Sequence, residues 1–327
     1  MSQITITKLP SPPPDKVGWP WTESSQGLPN TTFDGFLWPR ISIITPSYNQ
    51  GSFIEETIRS ILLQNYPNLE YIIIDGGSND ETISIIRKYE PWLAYWVSEK
   101  DKGQTDAINK GWRRSSGQWI TYLNSDDTLE PNTLFRIIDN CHPTTDFIYG
   151  SCHLIDEHSQ VSKCLHPPKI YLSQLVFGNV LPQPAVFFRY TMLDKIGYLD
   201  EKLHFGMDYE YWLRAILNGA TFQRILPPAL ANFRQWTQSK TGSQQQGFQQ
   251  DRFIITQKYF PDPSASDLAR IAWAGANHDA AWYENAIGHK QIAIRYLYKS
   301  FALLPKTYLI HNWQRYLFTL IKIMVWR

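Results

Sequence analysis

Short apolar runs, each stopped by a polar cluster, set the pattern of this chain. Ile41-Ser42-Ile43-Ile44 stops at Thr45-Pro46, Tyr71-Ile72-Ile73-Ile74 stops at Asp75-Gly76-Gly77, and Trp119 to Leu123 runs into Asn124-Ser125-Asp126-Asp127. A further run, Trp92 to Val97, precedes Asp101-Lys102-Gly103-Gln104-Thr105-Asp106. Runs of this length, rich in β-branched residues and bounded by turn residues, predict buried parallel strands. Between them the apolar positions recur at helical spacing. Ile54, Ile58, Ile61 and Leu62 follow Ser52 as a candidate cap, Ile83, Ile86 and Tyr89 follow Ser78 or Asp80, and Ala107, Ile108 and Trp112 share a third face. Successive strand-loop-helix units predict a parallel sheet with right-handed crossovers and a ligand crevice at the carboxyl ends of the strands. The polar loops therefore line one rim.

Elsewhere the pattern changes. Residues 1–40, rich in Pro, Gly, Ser and Asn, predict an extended arm pinned by Trp19 to Trp21 and Phe33 to Trp38. Residues 147–190 predict short strands and loops, ending in Gln183-Pro184-Ala185-Val186-Phe187-Phe188, in a mixed sheet. Met207 to Arg214 opens a helix, and the Gln- and Ser-rich stretch 236–250 predicts a mobile loop. From Leu268 to Leu304 the small and apolar positions predict a helical hairpin similar to one tetratricopeptide unit. The terminal run Tyr316 to Trp326, with Lys322 and Arg327, allows two readings: a helix docked on the core, or a peripheral membrane contact through residues 316–327. The expected organisation is an arm (1–40), a main domain (41–250) and a helical extension (251–327).

A chain of 327 residues can bury one large α/β core with an appendage. Its 31 Lys and Arg nearly cancel 30 Asp and Glu, so no overall field marks it as a nucleic-acid binder. Cys141, Cys152 and Cys164 are too few and too unevenly spaced for a disulfide framework or a zinc knuckle, which points to reduced thiols in a cytoplasmic setting. The first residues have no basic region followed by an apolar stretch, so no secretory signal is expected, and no apolar run reaches the ~18 residues of a membrane span. Thirteen Trp, 18 Tyr and 16 Phe suit carbohydrate stacking and ordinary cores alike.

Asp126 and Asp127, at the end of a strand, are the hard oxygen donors that Mg²⁺ or Mn²⁺ prefers when it bridges two phosphates. Alone, such a pair is more often a solvated turn. Here it stands in an ordered series: Ile43-Ile44-Thr45-Pro46-Ser47-Tyr48-Asn49, then Ile74-Asp75-Gly76-Gly77-Ser78-Asn79-Asp80, then Asp101 to Gly111, then Leu123-Asn124-Ser125-Asp126-Asp127. In these blocks the segment from Ile41 to Pro131 resembles the donor-binding half of a family 2 inverting glycosyltransferase. A fifth block, Gln183 to Phe188 with Asp208 to Arg214, extends the likeness to about residue 235.

The resemblance implies the GT-A fold, a mixed and mostly parallel α/β sheet flanked by helices. It also implies a hexosyltransferase that moves a sugar from a nucleotide-sugar donor, uridine diphosphate by default, to a glycan or lipid-linked acceptor hydroxyl, with a divalent cation (Mn²⁺ or Mg²⁺), in glycan or polysaccharide assembly. Carried over, Thr45, Pro46 and Tyr48 hold the base and ribose, Asp75 bonds the base, and Asp80, Lys102, Asp106 and Asn109 shape the donor pocket. Asn124 and Ser125 face the ribose or sugar, Asp126 and Asp127 hold the metal, and Asp208 is the base, with Glu210 the fallback. The chain departs from the family pattern at three places: Asn124 replaces the first carboxylate of the acidic motif, Met207 replaces a Glu, and Trp236 stands where a His is common. His204 and His278 read as structural. Two rivals stand beside the enzyme reading. A nucleotidyltransferase would place a basic, Gly-rich loop after the first strand, which Thr45 to Gly51 lacks. A catalytically silent nucleotide-sugar-binding or scaffold protein would keep the pocket without the chemistry.

Overall fold

The computed structural model describes residues 6–32, 34–306, 308, 318–319 and 321–322. In chain order the first elements are β1 (Ile41–Ser47), α1 (Ile54–Leu62), β2 (Leu69–Asp75), α2 (Thr82–Tyr89), β3 (Tyr95–Ser98), α3 (Gln104–Arg114), β4 (Trp119–Tyr122), β5 (Thr128–Leu129), α4 (Thr133–Asp139), β6 (Phe147–Tyr149), β7 (Cys152–Ile155) and β8 (Val161–Leu165). They are followed by α5 (Leu172–Phe177), β9 (Val186–Arg189), α6 (Thr191–Ile196), α7 (Met207–Leu217), β10 (Phe222–Arg224), β11 (Ala231–Arg234), α8 (Lys240–Ser243), α9 (Gln245–Tyr259), α10 (Asp267–Ala286) and α11 (Lys290–Leu303).

These elements pack as two compact units, interleaved along the chain. One comprises Met1–Lys169, Leu181–Glu201 and Asn218–Trp236, and the other Ile170–Val180, Lys202–Leu217 and Thr237–Arg327. The sequence reading drew consecutive segments with a boundary at residue 250. The packing differs because α5 and α7 bury their apolar faces with the C-terminal helices.

The first unit holds a seven-stranded sheet in the order β10-β6-β9-β4-β1-β2-β3. β1 runs parallel to β2 and β4, and β2 to β3, as the apolar runs predict. Every residue of β1 and β2 is buried, which explains why these strands read as continuous rather than alternating. β9 lies antiparallel to β4 and β6, which makes the sheet mixed. A smaller sheet, β5-β11-β7-β8, joins the residues just after Asp127 to those just before Trp236.

The arm is fixed by a buried cation. The fully buried Arg59 of α1 donates to the carbonyls of Pro10 (2.8 Å), Pro20 (3.1 Å) and Trp21 (2.7 Å). Trp19 adds an indole bond to the Leu129 carbonyl at 2.9 Å, and Trp21 and Trp38 are buried, while Phe33 lies outside the described residues. Two expected caps differ. α1 starts after Phe53 without a side-chain cap, so Ser52 does not serve, whereas Asp80 accepts from the Thr82 N–H at the start of α2 (3.0 Å).

The second unit is helical. The stretch 236–250 is not a loop throughout, because α8 and α9 begin within it. Phe248 packs against Phe205 at 5.2 Å between ring centroids, and the Asp251 carboxylate accepts the N–H groups of His204, Phe205 and Gly206. Glutamine is a good helix former, and these contacts anchor the helix that its composition alone did not reveal. α10 and α11 form the predicted hairpin, turning at Gly288, whose φ of +88° suits glycine. The terminal run Tyr316 to Trp326 lies outside the described residues apart from 318–319 and 321–322.

Candidate functional site

In the first unit the chain moves outward from β1 to β2 and β3, then crosses back to form β4 on the other side of β1. The loops after β1 and β4 therefore part from each other and leave a crevice at the carboxyl ends of the strands. The loops after β1 and β2 are stitched together on one side of it. The Asn49 N–H donates to Ser78 Oγ (2.7 Å), Asn49 Oδ1 accepts from the Asn79 N–H (2.9 Å), and Asp80 Oδ2 accepts from the Gly51 N–H (2.9 Å). Burial opposes ionisation of Asp80, but the donors Thr82 and Gly51 outweigh it and hold its carboxyl below the usual range. Tyr48 projects from this stitched edge and is 60% exposed.

Several predicted residues build the loops with their side chains. The buried Asp75 accepts from the N–H groups of Gly77 (3.0 Å) and Ser78 (2.9 Å) and from the hydroxyls of Ser78 and Ser98. Gly77 itself sits at φ +84°, which this turn requires. Thr45 is buried and accepts from the Tyr71 hydroxyl at 3.1 Å, and Pro46 is buried beside it. Asn109 clamps a distant loop, donating to the Leu199 carbonyl and accepting from the Leu199 N–H, each at 3.0 Å. Asp106 accepts from the Lys102 N–H (3.0 Å) and lies 3.4 Å from Lys110. Against burial, these two neighbours keep its carboxyl low. The Lys102 side chain is exposed.

The loop after β4 is the most densely organised. Asn124 accepts from Gln104 Nε2 (2.6 Å) and donates to Asp127 Oδ2 (3.1 Å) and Gln183 Oε1 (3.4 Å). Ser125 is buried, and its carbonyl and that of Asp127 both accept from the Thr57 hydroxyl (3.0 and 2.7 Å). Asp127 has no exposed surface, and its Oδ1 accepts from the Arg234 N–H at 2.9 Å. Asp126 is half-buried, and its Oδ2 accepts from the indole N–H of Trp236 at 3.1 Å. Burial pushes both carboxyls up, and at Asp127 the Asp126 charge adds to the shift.

Sequence reasoning missed Arg234 as the anchor of this loop. Its buried guanidinium donates to the carbonyls of Asp126 and Asp156, to Ser159 Oγ and to Glu56 Oε2 (2.8 to 3.0 Å). Those partners lie up to 178 positions away, so no local spacing could have signalled it.

Among the described residues no three His, Cys, Asp or Glu side chains form a metal-holding group. Both oxygens of Asp127 already accept protein donors, which leaves Asp126 as the accessible hard ligand. Such a set fits Mg²⁺ or Mn²⁺ held by one or two carboxylates and completed by a diphosphate and water.

In the second unit, Asp208 stands in the first turn of α7. It accepts from the Tyr209 N–H (2.7 Å) and from Asn179 Nδ2 (3.2 Å), and it lines a cleft of about 450 Å³ walled by Phe205, Phe248, Trp282 and Tyr283. The carboxyl is surrounded by protein while the residue keeps access to the cleft. Burial raises its pKa to about 6, against the lowering effect of its two donors. Glu210 differs: it is fully buried and bound by Arg214, Lys258 and the Tyr259 hydroxyl. The fallback assignment of Glu210 as base is therefore corrected, because its oxygens brace α7 against α9. Trp212 is buried, and His278 is buried 3.0 Å from the Thr319 hydroxyl, both in structural roles.

Comparison with known proteins bears on the same regions. Residues 42–178 match the family model for glycosyl transferase family 2. An uncharacterised glycosyltransferase of Rickettsia prowazekii is 31% identical over 191 residues, covering 54% of this chain and 58% of that protein, so the chain spans less than two thirds of this relative's length. An uncharacterised glycosyltransferase of Mycobacterium tuberculosis is 31% identical over 186 residues, covering 55% of this chain and 70% of that protein. Among solved structures, residues 1–349 of TarS from S. aureus, in complex with UDP-GlcNAc, superpose with a TM-score of 0.60 at 18% identity, over 81% of this chain and 82% of that one. The mannosyltransferase PcManGT from Pyrobaculum calidifontis, in complex with GDP-Man and Mn²⁺, gives 0.53 at 20% identity, over 93% and 91%. These likenesses bear out the expected α/β fold of GT-A type.

Proposed function

The chain belongs to glycosyl transferase family 2, and from that premise we propose that it transfers a sugar, with inversion, from a nucleotide-sugar donor to an acceptor hydroxyl in glycan assembly. The observation that carries the reading is the switch-point crevice, where one half-buried carboxylate, Asp126, stands on a loop fixed from both sides by Asn124 and Arg234. A uridine diphosphate sugar is the default donor, and the acceptor is a glycan or a lipid-linked sugar.

In this reading Tyr48 and the backbone around Thr45 and Pro46 receive the base and ribose. Asn124 and Ser125 orient the ribose or sugar, and Lys102 offsets charge on the departing diphosphate. Asp75, Asp80, Asp106 and Asn109 hold the loops that form the pocket, and Asp126, positioned by Asp127, would hold Mn²⁺ or Mg²⁺. The cation, when bound, supplies Lewis-acid stabilisation of the leaving diphosphate. Asp208 takes the proton of the acceptor hydroxyl, and the aromatic walls of its cleft suit stacking against a sugar face. Cys141, Cys152 and Cys164 are free thiols, in keeping with a cytoplasmic enzyme.

The reading is tested by thermal shift of the full chain with a panel of nucleotide sugars and nucleoside diphosphates, with and without Mn²⁺, on wild type and Asp126→Ala. Stabilisation by one nucleotide that needs both Mn²⁺ and Asp126 supports it. If no nucleotide stabilises the wild type, even with acceptor present, the silent scaffold reading takes its place.

A further inference from the structure

The charge of this chain is unevenly distributed. All 30 acidic residues, and 24 of the 31 basic ones, lie before residue 285. From Asn285 to Arg327 there is no Asp or Glu, while Lys290, Arg295, Lys299, Lys306, Arg315, Lys322 and Arg327 stand among eight aromatic residues. The near-zero net charge therefore conceals a strongly basic C-terminal stretch.

α11 lies in that stretch and shows how it is presented. Ala293, Leu297 and Ser300 are buried, and the Ser300 hydroxyl donates to the Ala274 carbonyl of α10 at 2.6 Å. Next to this inward face, Ile294, Tyr298 and Phe301 form an exposed apolar stripe at helical spacing, with Tyr298 73% exposed. Arg295 and Lys299, also exposed, flank the stripe. Phe318 and Ile321 are likewise exposed in the same unit, with Lys322 lying 5.0 Å from the Phe318 ring.

We propose that α11 is a docking face for an anionic phospholipid surface. An apolar stripe flanked by Lys and Arg is what an interfacial helix needs: the stripe enters the headgroup boundary while the cations face anionic lipid. Tyr and Phe suit that depth, having apolar rings and, in Tyr, a polar tip. A second copy of this chain is a poor occupant, because a two-fold contact would set this basic face against itself. Among the described residues no helix is long and apolar enough to cross a membrane. The inference concerns residues outside the donor crevice and stands apart from the proposed transfer reaction.

The test is flotation of the full-length protein with vesicles of phosphatidylcholine alone and of phosphatidylcholine mixed with phosphatidylglycerol. We expect binding to the mixed vesicles only, weakening as salt rises. Arg295→Gln with Lys299→Gln should lower the partition coefficient about 30-fold, taking about 1 kcal/mol per cation near the surface. Tyr298→Ser with Phe301→Ser, both at exposed positions, should also release the protein, with unchanged circular dichroism and melting temperature. Equal binding to both vesicle types, or full binding by either double variant, overturns the proposal. So does a wild-type dimer in sedimentation that Tyr298→Ser with Phe301→Ser converts to monomer, since the stripe is then a contact between copies.

Discussion

The indole nitrogen of Trp236 donates to Asp126 Oδ2 at 3.1 Å, and this bond joins positions 110 residues apart. The family resemblance places a histidine at position 236, where it would be a metal ligand. Here the same place on the chain holds a donor that orients the carboxylate instead. Trp236 also packs on Phe53, with ring centroids 5.0 Å apart, so its ring has a fixed seat. Trp236→Phe keeps the packing and removes only the N–H. Losing a partner that orients a metal ligand typically weakens metal binding by about 10- to 100-fold. Titration calorimetry with Mn²⁺ and nucleoside diphosphate should show a loss in that range, and unchanged affinity would mean that the bond is incidental.

Asp126 and Asp127 should separate in mutagenesis. Asp126 is half-buried with one protein donor on its carboxylate, so Asp126→Ala should abolish metal-dependent nucleotide binding at little cost to stability. Asp127 is fully buried, and its carboxylate receives Arg234 and Asn124. Asp127→Ala leaves those donors unpaired, at about 1–3 kcal/mol each, and should lower the melting temperature as well. Turnover should fall on the order of 10²–10⁴-fold in either variant. Equal melting temperatures for the two would contradict the different roles given them.

Asp208 gives the pH dependence. A general base works as the carboxylate, and burial raises the pKa of Asp208 to about 6. The active form is therefore lost as pH falls through about 6, and kcat/KM should show an acidic limb there, well above the usual carboxylate range. Asp208→Asn should reduce turnover by about 10²–10⁴-fold and remove that limb from the residual activity. A profile flat from pH 5 to 8 in the wild type would reassign the base.

Glu210 makes the opposite prediction. It is fully buried among Arg214, Lys258 and Tyr259, and removing one partner of a buried ion pair costs about 3–5 kcal/mol. Glu210→Gln should therefore show its main effect in the denaturation midpoint and leave the pH profile in place. A stable Glu210→Gln protein with the acidic limb missing would return the base assignment to Glu210.

The sequence by itself determined the strands, the helices between them and the order of the polar loops. Those features follow from near-neighbour spacing: β1 and β2 bury every residue and so read as unbroken apolar runs, and the helical faces recur every three or four positions. It also marked Asn124 to Asp127 and Asp208, because motif blocks are local. Tertiary structure alone decided which of the marked side chains are tied into the loops themselves. Asp75 and Asn109 fit their motifs, yet one accepts four donors and the other clamps Leu199, 90 positions away. It also decided that Arg234 and Trp236 meet the β4 loop, through the pairing of β11 with β5, and that α9 forms within a stretch whose composition reads as loop. Spacing encodes what lies within a few residues, but a hydrogen bond across a hundred positions depends on which strands pair, and that is settled only when the whole core packs.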